Sequence, residues 1–363
     1  MNPAQELILE YLQPQTNSRI LILEGGKGWI ASKAAKLVPE GEVVSLDRDV
    51  RAVWAAQNTL SSVPNASTSM DVFPKSAGWD IVLLMVPKGR RYARTLLVAA
   101  YQVLKPNGRL LISGPTKQGA KAVIKDAERL FGNASVLGFR KHQRVATCVR
   151  GESFTNPLPK EFQQPGVAPE STHHVEITFL GKRLSLETHP GIFSWEAIDE
   201  GTALLLDHLD KVSGLHVWDV GCGYGAIGLS AALAGAKRVL MSDINLLAVD
   251  YAHRNSISNG FEGKVFVVAA DGIQREHSSL LPGNKRYEWD LILSNPAFHQ
   301  GWAVDKSMAD RLIAQSPSML AQNGLLLIVA NRFLNYDKLI QKYFRYVRKT
   351  AETNRFHVIE ARN

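Results

Sequence analysis

The sequence predicts two tandem α/β domains, each a parallel sheet covered by helices, produced by an internal duplication. Three observations carry that reading. Strand-like runs of Val, Ile and Leu alternate with longer segments of helical spacing through both halves of the chain. Short blocks recur in the same order in each half: VVSLDRDVRAV at 43–53 reads like VLMSDINLLAV at 239–249, WDIVLL at 79–84 like WDLILS at 289–294, and PNGRLLI at 106–112 like QNGLLLI at 322–328. The 363 residues are too many for one ordinary core and about right for two domains.

Taken in order, the first domain is expected over residues 1–150, with strands at Arg19 to Leu23, Glu42 to Asp47, Trp79 to Val86 and Gly108 to Ser113. Residues 151–172 are rich in Pro, Gln and Glu and read as a linker. The second domain, 173–363, opens with an alternating stretch from His174 to Leu186 that reads as a hairpin turning at Gly181-Lys182. Its strands are expected at His216 to Val220, Arg238 to Asp243, Val265 to Ala270, Trp289 to Ser294 and Gly324 to Ala330.

Composition excludes several classes. A hydrophobic fraction of 45% and a charged fraction of 21% describe a soluble globular protein. Apolar runs such as Leu325 to Ala330 have strand length, well short of the ~20 residues that cross a bilayer, so no membrane span is expected. The amino terminus MNPAQELILE has no basic region followed by an apolar one and does not read as a secretory signal. With Cys148 and Cys222 as the only cysteines, no disulfide framework and no structural zinc pattern are expected, and the expected compartment is the cytoplasm. His173-His174 and His299 have no partners at metal-ligand spacing, and no metal is expected.

Charge is unevenly distributed. Residues 1–150 carry 21 Lys and Arg against 11 Asp and Glu, a net of +10, whereas the remainder carries 21 against 23, a net of −2. An excess of this size in one domain fits a polyanionic partner, although charged surfaces are commonly just solvated faces. Lys88, Arg90, Arg91 and Arg94 form one cluster, and Arg140, Lys141, Arg144 and Arg150 another.

The segment HVWDVGCGYGAIGL runs from a strand into a helix through Gly221, Gly223 and Gly225. Glycines suit a turn of unusual dihedrals where the backbone must approach a ligand closely. Three carboxylates are expected at successive strand ends. Asp219 is placed to accept from an ammonium group, Asp243, with Ile244 beside it, to take ribose hydroxyls, and Asp271, followed by Gly272, to accept from an adenine amino group. Each alone is also an ordinary helix cap. Together they describe the crevice of S-adenosylmethionine at the carboxyl edge of an open sheet.

The fourth strand of this half ends in Ser294-Asn295-Pro296-Ala297-Phe298-His299, which resembles the Asn-Pro-Pro-aromatic motif of methyltransferases acting on planar amino groups. An exocyclic amine has its lone pair delocalised into the ring and is a poor nucleophile. An Asn oxygen and a Pro carbonyl that accept its two hydrogens return density to nitrogen, and the ring of Phe298 stacks on the base. Ala297 departs from the second Pro and loosens the loop. An Asn-Pro pair also closes strands as a plain turn.

With these residues in view, the chain resembles the two-domain guanine-N2 ribosomal RNA methyltransferases that modify small-subunit rRNA, class I enzymes of the "methyltransferase small" type. The resemblance is carried by THPGIFSWEAIDEGTALLL, VWDVGCGYGAIGL, SNPAFHQG, VANRFLNYDKLIQKYF and NRFHVIEAR. It implies Rossmann-like methyltransferase domains, S-adenosylmethionine as cofactor, ribosomal RNA or a ribosomal subunit as partner, Phe193 and Ser194 near the cofactor, and a first domain that is a degenerate copy; the oligomeric state is left open, with a monomer favoured. The residues agree with degeneracy: matching Gly26 and Gly28 to Gly223 and Gly225 puts Glu24 where Gly221 stands and Ile22 where Asp219 stands, while Asp47 persists opposite Asp243. Met85 and Val86 replace Asn295 and Pro296, and Lys88 replaces Phe298. The basic first domain is then expected to position RNA. Two other readings remain open at this point, methylation of a protein glutamine by the same Asn-Pro chemistry and a catalytically silent RNA-binding protein. The run from Arg332 to Lys349, with Tyr336, Tyr343, Phe344 and Tyr346, reads either as an RNA contact or as an amphipathic helix on the sheet.

Overall fold

A computed structural model describes residues 2–153, 156–209, 211–273, 288–296 and 307–363. The chain divides into two compact units: the first holds Met1–Thr172 and His189–Gly191, the second His173–Thr188 and Ile192–Asn363. The first unit runs α1 (Pro3–Glu10), β1 (Arg19–Leu23), α2 (Trp29–Ala35), β2 (Glu42–Leu46), α3 (Val50–Leu60), β3 (Ala66–Thr68) and β4 (Trp79–Met85). It continues through α4 (Arg90–Val103), β5 (Leu104–Pro115), α5 (Ala120–Phe131), β6 (Ser135–Arg140) and β7 (Gln143–Val149).

The second unit begins with the hairpin β8 (His173–Phe179) and β9 (Lys182–Thr188), then α6 (Glu200–Leu206), β10 (His216–Val220), α7 (Ala226–Leu233), β11 (Arg238–Asp243) and α8 (Leu246–Ser258). It ends with β12 (Val265–Ala269), β13 (Trp289–Ser294), α9 (Ser307–Gln315), β14 (Leu320–Asn331), α10 (Tyr336–Ile340), β15 (Tyr346–Glu352) and β16 (Phe356–Arg362).

The two large sheets have one topology. Among the described residues the first is ordered β3-β2-β1-β4-β5-β7-β6 and the second β12-β11-β10-β13-β14-β16-β15. Pairings around the central strands are parallel, and the last two strands of each sheet pair antiparallel. Strand order therefore reverses beside β1 and beside β10, and a ligand crevice at the carboxyl edge belongs at that reversal.

The repeated sequence blocks are repeated structural devices. In each Trp-Asp pair the carboxylate accepts from the first amide of the central strand: Arg19 N donates to Asp80 Oδ2 at 2.8 Å, and His216 N donates to Asp290 Oδ2 at 2.8 Å. This bond satisfies a backbone donor at the strand's start and sets the register between the two strands. In each Asn-Gly pair the Asn is left-handed, Asn107 at φ 64° and Asn323 at φ 66°, a conformation Asn tolerates better than other residues that carry a Cβ.

Apolar faces from both sides of each sheet close the cores. Ile20, Ile22, Leu83 and Leu111 pack with α1 and α2 in the first unit. In the second, the rings of Trp218 and Trp289 lie 5.2 Å apart beneath Leu312 and Ile328. Burial of such large rings is worth on the order of 2–3 kcal/mol each.

Three expectations shift. The hairpin turns at Leu180-Gly181, both left-handed, one residue before the expected position. The 151–172 stretch clusters with the first unit, where Phe162 and Val167 are buried. The expected amphipathic helix over Arg332 to Lys349 is a five-residue helix, α10, followed by strand β15 at the edge of the sheet. Tyr336 and Phe344 enter the core while Tyr346 stays exposed, so the aromatics serve two different elements.

Candidate active site

The crevice of the second unit lies at the carboxyl edge of β10, β11 and β12. The loop after β10 bends through Gly221 and Gly223, with φ of 78° and 56°. A Cβ on Gly221 would project into open space, its nearest neighbour being Met308 Cε at 4.0 Å, so the bare backbone is itself a wall of the crevice. Gly223 N donates to Asp243 Oδ2 at 2.9 Å and Asn245 N to its Oδ1 at 2.8 Å. Those two bonds fix the carboxylate at the strand end, where it lines the crevice with Ile244. Phe193, 63% exposed, and Gly272 also line it.

Three residues expected on this wall stand elsewhere. Gly225 caps α7 in a left-handed conformation and shapes the loop from behind. Asp219 does not line the crevice: it is fully buried beneath the loop, where its Oδ2 accepts from Gly228 N at 2.8 Å and its Oδ1 has no hydrogen-bond partner. Burial pushes its carboxyl up to about 7, against the pull of the Gly228 bond. Asp271 pairs with Arg311 at 2.8 Å, and the crevice is lined by its neighbours Ala270 and Gly272 instead.

Asn295 follows β13 at the reversal point and lines two adjoining cavities, the crevice and a second one walled by Pro296, Arg332, Phe333, Arg355 and Phe356. Its Nδ2 donates to Asp199 Oδ1 and Oδ2 at 3.3 and 3.1 Å and to Thr202 Oγ1 at 2.9 Å. An ionised carboxylate accepts and never donates, so the amide nitrogen faces Asp199 and the oxygen is the end turned away. Asp199 is in turn fixed as the N-cap of α6, accepting from Gly201 N at 3.0 Å, from Thr202 N at 3.3 Å and from the Thr202 hydroxyl. Phe193, Ser194, Asp199 and Asn295 border both cavities. Phe298 and Ala297 lie outside the described residues.

Asp199 and Thr202, which hold the Asn295 amide, were not among the candidates the sequence offered. Their only local signal is Asp-Glu-Gly-Thr before an apolar run, which reads as a helix cap. Asn255 was missed too. Wholly buried on α8, it accepts from Glu187 N at 2.7 Å and donates to Glu187 O and Tyr224 O, stitching β9 to the glycine loop.

In the first unit some of the cations expected to meet RNA also make bonds within the unit. Arg90 and Arg94 both bind Asp126, at 2.7 and 2.9 Å, and the Asp126 side chain has no exposure. Burial alone would raise that carboxyl, but the two guanidiniums hold it below the usual range. Arg150 is buried and donates to Leu104 O. Arg140 is half exposed beside Glu10, Lys141 is exposed at the β6–β7 turn, and Arg144 lies 4.9 Å over the Phe139 ring. Lys88 and Arg91 are exposed.

Among the described residues no helix is long and apolar enough to cross a membrane, and no group of three His, Cys, Asp or Glu side chains could hold a metal.

A reversing parallel sheet, a glycine loop, an acidic strand end and an Asn-Pro at the reversal point define the class I methyltransferase fold and site. The "Methyltransferase small domain" family model matches residues 1–146 and again 183–360. The ribosomal RNA small subunit methyltransferase C of Shewanella loihica is 32% identical over 288 residues, 78% of each chain, and that of Hahella chejuensis 29% identical over 99% of this chain and 98% of the other. The T. thermophilus 16S rRNA N2 G1207 methyltransferase, solved in complex with AdoMet and guanosine, superposes with a TM-score of 0.80 at 25% identity, over 100% of this chain and 92% of that one. The chain belongs to this family of ribosomal RNA small subunit methyltransferases.

Proposed function

We propose that the chain transfers a methyl group from S-adenosylmethionine to the exocyclic N2 of a guanine in small-subunit ribosomal RNA. The observation that carries this reading is Asn295, its amide locked by Asp199 and Thr202 at the border of two cavities. The second unit fits the cofactor. The glycine loop leaves room where side chains would stand, Asp243 is fixed at the strand end for ribose hydroxyls, and the orphaned Asp219 Oδ1 keeps an acceptor beneath the loop. Phe193, Ile244 and Gly272 supply the apolar and backbone walls.

When bound, the sulfonium supplies an electrophilic methyl group. The chain's own part is to make a weak amine attack it. Asn295 Oδ1 and the Pro296 carbonyl accept the two hydrogens of the amine, holding its lone pair out of conjugation and along the line of attack. The nitrogen gains positive charge as the new N–C bond forms and the methyl–sulfur bond breaks, its electron pair staying on a neutral thioether sulfur, and the same two acceptors stabilise that charge before one proton leaves to solvent. The second cavity receives the base, with Phe333, 63% exposed, as a stacking face. Arg332 and Arg355 hold surface carboxylates, Glu352 at 2.7 Å and Glu200 at 3.1 Å, that phosphates can displace. In the first unit Lys88, Arg91, Arg140, Lys141 and Arg144 supply phosphate contacts, while Arg94 is tied to the buried Asp126, which it shares with the half-exposed Arg90.

Radiolabelled methyl transfer to small-subunit rRNA, to assembled small subunits and to a protein glutamine substrate tests the reading. The expected outcome is label on guanine N2. Asn295→Ala should lower the rate on the order of a hundredfold or more with cofactor affinity nearly unchanged. Label on protein alone, or full activity in Asn295→Ala, refutes it.

A further inference from the structure

The first unit repeats the crevice-forming loop but closes it. Glu24 follows β1 with φ 57°, the left-handed conformation that Gly221 adopts at φ 78° after β10. Its side chain is wholly committed within the unit: the buried Tyr92 hydroxyl donates to Glu24 Oε1 at 2.8 Å, and Arg48 Nε lies 3.6 Å from Oε2. Arg48 also covers the Tyr92 ring at 4.2 Å. Burial pushes the Glu24 carboxyl up to about 7, against the lowering pull of Arg48. Glu24, Tyr92 and Arg48 thus stand together where the second unit has the bare backbone of Gly221.

The same cluster grips a piece of chain far away in sequence. Arg48 Nη1 donates to Gly191 O at 3.2 Å, across 143 residues. His189, 4% exposed, sets its ring edge-on to Tyr92 at 6.1 Å and to Phe73 at 5.7 Å. Gly166 lies so close to Pro190 that a Cβ there would fall 2.6 Å from Pro190 Cδ. Residues 189–191 accordingly belong to the first unit, although the chain on both sides of them belongs to the second. The next three residues, Ile192, Phe193 and Ser194, line the crevice of the second unit, and Ser194 holds a left-handed φ of 49°.

We infer that the closed crevice of the first unit is a clamp, with Arg48 as a positioning residue that fixes the 189–191 segment and, through chain continuity, the Phe193–Ser194 wall of the cofactor crevice. The inference rests on the second unit binding S-adenosylmethionine. A segment pinned at one end samples fewer conformations, so the wall costs less to order when ligand enters. Loss of the pin should weaken cofactor binding more than it slows the chemical step at saturation, since Asn295 and its partners are untouched.

The test uses the full chain. Arg48→Ala should raise the Kd of S-adenosylmethionine about tenfold, leave kcat at saturating cofactor within about twofold, and speed amide exchange at residues 192–194. Arg48→Lys, which keeps a donor for Gly191 O, should restore most of the affinity. Arg51→Ala is the control, because it removes another ion pair of the same unit, with Asp49 at the start of α3. It should lower thermal stability without moving Kd. A wild-type Kd in Arg48→Ala, or an equal rise in Arg51→Ala, overturns the clamp. Failure of the wild-type chain itself to bind S-adenosylmethionine overturns the reading beneath it.

Discussion

After β1 the chain runs Glu24-Gly25-Gly26-Lys27-Gly28; after β10 it runs Gly221-Cys222-Gly223-Tyr224-Gly225. The backbone of the two loops is nearly one structure. Gly26 N donates to Asp47 Oδ2 at 2.8 Å as Gly223 N does to Asp243 at 2.9 Å, and Asp49 N and Asn245 N complete each carboxylate at 2.8 Å. Gly28 and Gly225 both stand left-handed at the head of the following helix. The side chains differ at three positions, Glu24 against Gly221, Gly25 against Cys222 and Lys27 against Tyr224, and the first sets a carboxylate with its own partners where the second unit has bare backbone. The loop geometry is thus a property of the fold, and ligand capacity is a property of what fills the loop. The carboxylate shared by both, Asp47 or Asp243, braces the turn whether or not a ribose is bound, so its presence alone is weak evidence of a nucleotide site.

Exchanging Glu24 and Gly221 gives the largest expected effect. Gly221→Glu places a carboxylate in the open crevice and a Cβ at a left-handed position, which costs about 1–2 kcal/mol by itself. Cofactor affinity should fall by at least a hundredfold in calorimetry while the unit stays folded. The reverse exchange, Glu24→Gly, should leave one binding site per chain, because Tyr92 and Arg48 still occupy the first crevice and Ile22 stands where Asp219 does in the second unit. Two sites in Glu24→Gly would mean that Glu24 alone closes it.

A second contrast lies at the end of the fourth strand of each sheet, where Asn295-Pro296 of one unit corresponds to Met85-Val86 of the other. Asn295 works only if its amide oxygen is the end presented, and Asp199 enforces that. Asp199→Asn keeps an oxygen for the α6 cap but gains an NH2 that can face Asn295, so the orientation is no longer compelled. The rate should fall on the order of ten- to a hundredfold with a melting point within a few degrees of wild type. Thr202→Val should show a smaller loss in the same direction. An unchanged rate in both would mean that the loop holds Asn295 without them.

These residues mark the limit of what the sequence disclosed. The duplication was legible because the same short blocks recur in the same order in both halves, not because their bonds are local: Asp80 and Asp290 each hold a strand's first amide across 61 and 74 residues. The crevice was legible because Gly221 and Gly223 share one strand-to-helix loop and Asp243 ends the very next strand. Pairings across long separations were not. Asp271 meets Arg311 40 residues away, Arg90 and Arg94 meet Asp126 over 36 and 32, and Asp199 meets Asn295 over 96. A carboxylate that caps a helix and also orients a side chain carries no extra mark in sequence. β15 was misread because Tyr336, Tyr343 and Phe344 fall at helical spacing although they come from a short helix and the turn after it.

The smallest effect separates the units by pH. Glu24, largely covered, and Asp219, fully buried, are carboxyls pushed up to about 7, from ordinary values of 4.5 and 3.8. A carboxyl whose folded pKa lies above its unfolded one holds its proton more tightly in the folded state. Its stabilising share is complete below the unfolded value and is lost as pH rises through the folded one. Both units should therefore lose stability between about pH 5 and pH 8, on the order of 2 kcal/mol for each group. Glu24→Gln keeps an acceptor for the Tyr92 hydroxyl and cannot ionise, so it should remove the first unit's share of the decline and leave the second's. Calorimetric melting at the two pH values reads this as a shallower fall in Tm for Glu24→Gln than for wild type, and shallower still with Asp219→Asn added. The same pH slope in all three proteins would show that neither carboxyl is held protonated. The closure of the first crevice would then be a solvated ion pair of Glu24 with Arg48, and the difference between the two loops would be one of charge instead of packing.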